Sequence, residues 1–527
     1  MKEYVVHQII NRTLVTHRNQ FIVSRNQRYT VEDFYKRVLR LANSLKKEIG
    51  IKKGTVVGVI DTNTHRYLEI HYALSMLGAI IHTINFRLSL EQLLYSMKHA
   101  GDELVFVSDP FLKLIEPITK MFPNMVVLRE NIENSLPLNS NIYAYEDLIN
   151  AGGENELEEA NKVYETDIFS IFYTTGTTGK PKGIQYKHRE ILLGALQLFH
   201  HLALHESGAR VSSSDVFMPL IPFFHIHGWG AVIFPIYVGA KLVLAGGISD
   251  PAEQVNLIKK EGVTWLNMVP TQLHMLLEQK DFKNLKVLTG GSPFSYGLAK
   301  QAAAANITFS VIYGGSDQLG TAISVVPEYI PPKSEEAAEW LRVGMRPFPM
   351  VDVSLRDKQG NEIPHDGKSL GEVWVKSPWL PNGYYNDSEN TQKSYINGWF
   401  KTGDIGIFYP NGLLYVTDRE SDAVKSGGEW ISTGILEAIL SEHPSVALVA
   451  VISIENPRWG ERPIAIIKPN GEVQEESLKN FLLSKVNEGK MSKFWIPDRF
   501  IFVDDIPLTS AGKIDKKLLR EHAKKTI

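Results

Sequence analysis

Residues 173–183 read YTTGTTGKPKG, with three glycines, four threonines and two lysines. That composition suits an anion. Gly176, Gly179 and Gly183 let the backbone turn and bring its N–H groups close to a ligand. Thr174, Thr175, Thr177 and Thr178 add hydroxyl donors, while Lys180 and Lys182 add positive charge. The apolar run at 168–172 reads as a short buried strand, and the stretch from Lys187 to Leu198 reads as a helix. Strand, Gly/Thr/Lys loop and restart as a helix make a phosphate-loop arrangement. It is not a Walker A loop, which has four residues between its glycines followed by Gly-Lys-Ser/Thr. Here the spacing is two, and Pro181 follows the lysine. An ordinary flexible loop is the plain alternative, but surface loops rarely stack threonines in this way.

Other segments carry groups of chemical interest. His225 and His227 lie in PFFHIHGW. Such a pair on one face of a strand invites a zinc reading, yet two ligands do not make a site and no third is evident. Gly290, Gly291 and Ser292 follow a strand-like run at 286–289, and residues this small let a flat ring lie against the backbone. Lys513, near the end of the chain, would on its own be a solvated surface charge.

The loop and these segments, in this order, resemble the motifs of the AMP-forming adenylating enzymes: acyl- and aryl-CoA synthetases, firefly luciferase and the adenylation domains of peptide synthetases. The resemblance runs from about residue 10 to 520 and is strongest to medium- and long-chain fatty acyl-CoA synthetases. It implies that Thr174, Thr175, Gly176, Thr177, Thr178, Gly179 and Lys180 hold the phosphates of ATP, with Gly290, Gly291 and Ser292 against adenine. Tyr313-Gly314-Gly315-Ser316-Asp317 is similar to the family's Tyr-Gly-x-Thr-Glu. Tyr313 would stack on adenine, Gly314 would border nucleotide and acyl group, and Ser316 would contact phosphate. Thr174 and Asp317 would hold Mg²⁺. Serine and aspartate replace threonine and glutamate here; the carboxylate is one methylene shorter, and a water can bridge that gap.

The resemblance assigns the remaining motifs as well. Asp404, in Thr402-Gly403-Asp404, would accept hydrogen bonds from both ribose hydroxyls, and Arg419 would reach the ribose. His225 would line the acyl-carboxylate pocket with Ile226, and Trp229 is similar to the tryptophan that gates the fatty-acyl tunnel. Ser421 occupies the hinge position, where the family usually has Asp or Lys. Lys425 and Trp430 would approach the nucleotide or thioester site, and Gly427 and Gly428 would flank the pantetheine channel. Lys513, in PLTSAGK, becomes the lysine that drives adenylation. The implied catalytic residues are therefore Lys513, His225 and Lys425.

These residues need a scaffold. Thr30 and Asp33 form a capping signal before Val31, Phe34, Val38, Leu41, Leu45 and Ile49, an amphipathic helical pattern. Strands at 56–60, 80–84 and 104–107 alternate with helices at about 66–77 and 90–99. Such alternation predicts an α/β fold: a large layered N-terminal domain with mostly parallel sheets, over 1–420. A small mobile α+β C-terminal domain, 421–527, would carry strands at 448–454, 463–467 and 500–503 and a helix near 475–486. The polar, acidic stretch 131–163 reads as a surface connection.

Composition limits the function. A chain of 527 residues with net charge −3 has no general attraction for nucleic acid or anionic membrane, so an anionic substrate needs locally placed cations. Cysteine is absent, which excludes disulfides, iron–sulfur clusters, thiolate zinc sites and an acyl-cysteine intermediate. Neither a signal peptide nor a membrane span is expected, and the lack of cysteine fits a cytoplasmic protein. The function implied is ATP-dependent acyl-CoA synthesis through an acyl-adenylate, with Mg²⁺ and coenzyme A as cofactors and a homodimer as the assembly. An aryl-CoA or short-chain ligase, and a non-catalytic nucleotide or acyl binder, remain the alternatives.

Overall fold

Thr30 starts the first long helix as its sequence requires. Its side-chain oxygen accepts from Asp33 N over the helix Val31–Ser44, and its hydroxyl donates to Asp33 Oδ2 at 2.7 Å. Val31, Phe34, Val38 and Leu41 form the buried stripe. The last turn widens into a π-helix, Leu45–Ile49, and stops at Gly50 with φ of 82°. Ser89 and Gln92 make a reciprocal capping box on the helix Leu90–Ala100. The computed structural model describes residues 3–112, 124–128, 142–174, 180–292, 294–324, 344–357, 359–427, 429–508 and 514–526.

Two large sheets are built mainly from parallel strands. The first has seven strands and includes Val56–Ile60, Ile80–Thr83, Leu104–Ser108 and Ile168–Thr174. The second has nine, with a parallel centre made of Val216–Pro219, Lys241–Leu244, Trp265–Met268, Lys286–Gly290 and Thr308–Tyr313. Between them lies the main core. It unites the helices His65–Leu77, His188–Leu204 and Ile226–Val238 with inward residues of both sheets, among them Val57, Phe106, Phe217 and Trp265. A third sheet of five strands, from Asp352–Arg356 to Leu414–Arg419, is antiparallel throughout.

The last hundred residues form a separate α+β unit. Val446–Asn456 pairs antiparallel with Gly460–Pro469, which pairs parallel with Arg499–Phe502. Helices Thr433–Leu440 and Glu475–Asn487 cover one side of that sheet through Leu436, Leu440, Leu478 and Leu482. The helix Lys516–Thr526 covers the other through Leu519 and Ala523. Among the described residues no helix is long and apolar enough to cross a membrane.

Three local expectations need correction. The phosphate loop does not restart as a helix: the strand Lys182–Lys187 comes first, antiparallel to Ile168–Thr174, and the helix His188–Leu204 follows it. Ile184 and Tyr186 alternate into the core, a period of two that is too short to stand out beside a long helix. The stretch 131–163 is not all surface connection. Its described part contains the strand Ile142–Ala144 and the helix Tyr145–Ala151, which buries Tyr145, Leu148 and Ile149. Tyr145 Oη donates to Glu69 Oε2 at 2.6 Å, so acidic composition hid a docked helix. Finally, His225 and His227 lie at the N-terminus of the helix Ile226–Val238, not on a strand.

Candidate functional site

The two sheets, the antiparallel sheet and the small unit surround one cleft of about 2800 Å³. The parallel strands of the nine-stranded sheet direct their C-terminal ends toward it. Thr289 and Gly290 close one strand, and Tyr313 closes its neighbour. A Cβ on Gly290 would meet Ile312 O, and Gly291 has φ of 81°, so small residues are required where the sequence places them.

Asp404 anchors the polar side. It is 4% exposed, and Arg419 Nε lies 2.8 Å from Oδ1 while Tyr313 Oη donates to Oδ2 at 2.6 Å. Asp404 and Arg419 face each other across paired strands, so sheet register creates this ion pair. Burial, and then the Asp404 charge, push the Tyr313 phenol well above its ordinary value. The Asp404 charge is the main reason the Arg419 guanidinium is held more firmly in its charged form. The expectation for Tyr313 was stacking; its hydroxyl also donates to the Asp404 carboxylate.

Ser316 and Asp317 lie in a tight loop after Tyr313. Tyr186 Oη donates to Ser316 O at 2.5 Å, and Tyr395 Oη donates to Asp317 O at 3.2 Å. Burial raises the Asp317 carboxyl, while a hydrogen bond from Tyr384 and the charges of Arg419 and Lys182 act in the opposite direction. Lys182 Nζ is itself 4.8 Å from the centre of the Tyr384 ring. Thr174 and Asp317 both line the cleft. A hydroxyl and a carboxylate are hard oxygen donors, and with water to complete the set they suit Mg²⁺. Among the described residues no group of three or more His, Cys, Asp or Glu is poised to hold a metal.

The phosphate loop itself, Thr175, Gly176, Thr177, Thr178 and Gly179, lies outside the described residues, but its base is fixed. Tyr173 Oη is 2.7 Å from His99 Nδ1, and the ring packs 4.9 Å from that of His82. Gly183 permits this: a Cβ there would be 3.0 Å from Tyr173 Cζ. Lys180 Nζ lies 5.1 Å from the centre of the Tyr95 ring.

Apolar residues make the opposite side. His225 lines the cleft with its ring 4.6 Å from that of Phe224, followed by Ile226, His227 and Gly230. A Cβ on Gly228 would collide with Pro222 O, which explains the glycine after the second histidine. Ile191, Gly194, Ala195 and Leu198 face the cleft from the helix His188–Leu204. Their spacing of three and four residues is one helical face. The side chain of Trp229 lies outside the described residues.

From the small unit, Leu508 and Ile514 form a bridge and line the cleft with Asp515 and Lys516. Lys513 falls between them, outside the described residues. Lys516 Nζ is buried between Glu437 Oε1 at 2.7 Å and Thr433 Oγ1 at 2.8 Å. Thr433 Oγ1 and Gly434 N in turn donate to Asp418 Oδ1, tying the small unit to the strand before the turn at Ser421. Ser421 is exposed. Lys425, Gly427 and Trp430 do not line the cleft. Lys425 Nζ sits 4.6 Å from the centre of the Trp430 ring and 3.5 Å from Glu420, and Gly427 N donates to Trp459 O at 2.8 Å. Gly428 is outside the described residues. The structure thus gathers most described nucleotide and acyl residues in one cleft and leaves the thioester group apart.

Sequence reasoning missed Tyr186 and Tyr395 around Ser316 and Asp317, the contact of Tyr384 with Asp317, and the contact of His227 with Leu319 O. Only the doubled tyrosine after Gly383 offered a signal.

A family model described as AMP-binding enzyme matches residues 11–385, and one described as AMP-binding enzyme C-terminal domain matches residues 436–513. The chain is 35% identical over 515 residues to a long-chain-fatty-acid–CoA ligase of Thermus thermophilus, covering 94% of this chain and 90% of that one. It is 33% identical over 506 residues to a medium-chain-fatty-acid–CoA ligase of Ectopseudomonas oleovorans, covering 92% and 89%. Among solved structures, the anthranilate CoA ligase AuaEII in complex with anthranoyl-AMP superposes with a TM-score of 0.85 at 25% identity, over 99% and 98% of the two chains. ATP-bound MatB from Rhodopseudomonas palustris has the same fold, with a TM-score of 0.83 at 21% identity over 100% of both.

Proposed function

The chain belongs to the AMP-binding enzyme family and is an AMP-forming acyl-CoA ligase; we propose that its acid is a medium- to long-chain fatty acid. Its cofactors are ATP, Mg²⁺ and coenzyme A. The observation that carries the chain-length reading is the apolar face Ile191, Gly194, Ala195 and Leu198 on the cleft side of one helix. Four successive cleft-facing positions without a polar side chain suit a hydrocarbon tail. The fatty-acid–CoA ligases among its relatives support the same reading.

The reaction follows from the charges. A carboxylate is a poor electrophile. One of its oxygens attacks the α-phosphorus of ATP, the bond to the bridging oxygen breaks, and pyrophosphate leaves. The CoA thiol then attacks the acyl carbon, the bond to AMP breaks, and acyl-CoA forms. With no cysteine in the chain, the sulfur of the thioester is that of CoA.

The first step brings two anions together, so cations must be in place beforehand. Lys513 would supply positive charge to carboxylate and α-phosphate. Thr174, Lys180 and the loop 175–179 hold the phosphates, with Ser316 beside them. Asp404 takes the ribose hydroxyls, with Arg419 and Tyr313 fixing its two oxygens. Asp317 and Thr174 would hold Mg²⁺, which would supply charge to offset that of the phosphates. His225 and Ile226 border the acyl carboxylate, and Gly314 keeps the backbone close to it. Trp229 gates the acyl tunnel. In the second step the small domain, 421–527, turns about Ser421 against the large domain, 1–420. That rotation brings Lys425, Trp430 and the Gly427-Gly428 pair to the thioester site. A cytoplasmic location and a homodimer complete the proposal; light scattering tests the dimer.

The test of the substrate is a panel of acids from acetate to palmitate, with benzoate and cinnamate, scored by acyl-CoA formed. The highest kcat/KM is expected between octanoate and palmitate. A maximum at benzoate or cinnamate overturns the fatty-acid reading, and no thioester from any acid overturns the ligase itself.

A further inference from the structure

The loop that presents Ser316 and Asp317 to the nucleotide also presents Leu319 to the acyl side. It is a closed unit: Thr321 N donates to Tyr313 O at 2.9 Å, and Leu319 N donates to Gly315 O at 2.9 Å. Leu319 has φ of 64°, in the left-handed region that a branched side chain disfavours. Two contacts keep it there. His227 Nε2 lies 2.7 Å from Leu319 O, the distance of a ring N–H donating to a carbonyl. The backbone of His227 is fixed in turn, since Asn267 Nδ2 donates to His227 O at 3.1 Å. The second contact is a notch. On the helix His188–Leu204, a Cβ at Gly194 would coincide with Leu319 Cδ2, so the leucine tip occupies the space that glycine leaves. Trp379 closes the notch: its Cδ1 would be 3.5 Å from the same Cβ, and its Nε1 donates to Gly320 O at 3.4 Å.

Gly194 belongs to the apolar face that lines the cleft, and Leu319 lines the cleft with it. We propose that Leu319, seated on Gly194 and held by the positioning residue His227, determines which acyl-chain lengths the enzyme accepts. The inference rests on the fatty-acid reading of the cleft. The left-handed backbone and the missing Cβ act together: one aims the isobutyl group at the helix, and the other gives it room to lie back from the substrate path. A larger residue at 194 forces the leucine tip out of its notch and into the cleft. A smaller residue at 319 opens the notch to the substrate.

The test compares kcat/KM for butyrate, octanoate and palmitate in the wild type, Leu319→Gly, Leu319→Ala, Gly194→Ala, His227→Ala and His227→Gln. One buried methylene is worth about fourfold, so gaining or losing the space of a leucine tip should move the palmitate-to-octanoate ratio by about tenfold or more. The ratio should rise in Leu319→Gly and Leu319→Ala and fall in Gly194→Ala. His227→Ala should flatten the profile, and His227→Gln, which keeps an N–H donor, should restore it. In Leu319→Gly the relief of the left-handed backbone offsets part of the packing lost from the notch, and Tm is measured alongside; should it fail to fold, Leu319→Ala gives the same comparison. Variant profiles parallel to that of an active wild type overturn this inference alone. A wild type inactive on all three acids overturns the fatty-acid reading and this inference with it.

Discussion

Around Asp404 the cleft is built from polar pairs, and around Gly194 it is built from shape. On the first side, Arg419 and Tyr313 hold the two oxygens of one carboxylate, and Tyr186 and Tyr395 hold the backbone of Ser316 and Asp317. Each contact has a donor, an acceptor and a direction. On the other side, a helical face of Ile191, Gly194, Ala195 and Leu198 meets Leu319 with no hydrogen bond between side chains. A nucleotide has the same phosphates and ribose whatever acid is activated, so one polar constellation serves every substrate. An acid differs from its neighbours by methylenes, and only space distinguishes those. The two sides should therefore fail differently. Damage to the polar side should slow all acids by the same factor, and damage to the apolar side should change their ratios.

The largest expected effect is that of Lys513→Ala. Removing its charge from the transition state should slow adenylation by about 10²–10³, for every acid alike. Thioester formation from supplied acyl-adenylate should be spared, because the proposed role confines the lysine to the first step. Single-turnover assays of each half-reaction provide the measurement; equal loss in both would make Lys513 structural. Asp404→Ala comes next. It leaves Arg419 and Tyr313 without their shared acceptor, and kcat/KM for ATP should fall by about 10². The palmitate-to-octanoate ratio should stay at the wild-type value. A changed ratio would mean that the two sides are not independent.

Asp317→Asn should have a smaller effect. It keeps the shape and removes one charge from the proposed Mg²⁺ site, so the Mg²⁺ concentration for half-maximal rate should rise by about tenfold. An unaltered Mg²⁺ dependence would remove Asp317 from the metal. Asp317→Glu should retain activity, since a glutamate stands there in the related motif.

The smallest effect concerns stability behind the apolar wall. His71 packs against Phe223, and His201 packs against Phe348 at the cleft. Burial lowers His71 to about 4 and His201 to about 3. Both are depressed bases, so the folded chain keeps them neutral while the unfolded chain takes up protons below about 6.5. Their contribution is complete above that pH and is lost as pH falls toward the folded values, by about 1.4 kcal/mol per pH unit for each group. His201→Phe should lessen the drop in Tm between pH 7 and pH 5. An identical pH dependence of Tm would show that His201 is not a source of the acid lability.

The same contrast explains what could be read from sequence. Polar recognition uses few residue types at fixed spacing, so Tyr313, Ser316, Asp317, Asp404 and Arg419 were legible, and the structure brings all five to one cleft. Helix caps at Thr30 and Ser89 and the alternation of strands with helices are local signals, and they located the first sheet. Shape leaves no such trace. Gly194 reads as a weak point in a helix until Leu319, 125 positions on, is seen to occupy its missing Cβ. The strand Lys182–Lys187 went unread between the loop and the helix expected from Lys187, because Ile184 and Tyr186 gain meaning only from pairing with Ile168–Thr174. The segment Lys425 to Trp430 was read by motif with the nucleotide or thioester site and the pantetheine channel, and its described residues Lys425, Gly427 and Trp430 do not line the cleft. Motif order specifies membership in a site but not the domain position in which that membership is exercised.

The central claim is that this cleft joins a fatty carboxylate to AMP. Its most direct test is carboxylate-dependent exchange of labelled pyrophosphate into ATP, measured without CoA. The account predicts exchange that needs Mg²⁺, is supported by octanoate and palmitate more than by acetate or benzoate, and is lost in Lys513→Ala. Absence of exchange with every acid, or exchange supported by benzoate and not by the straight-chain acids, would contradict it.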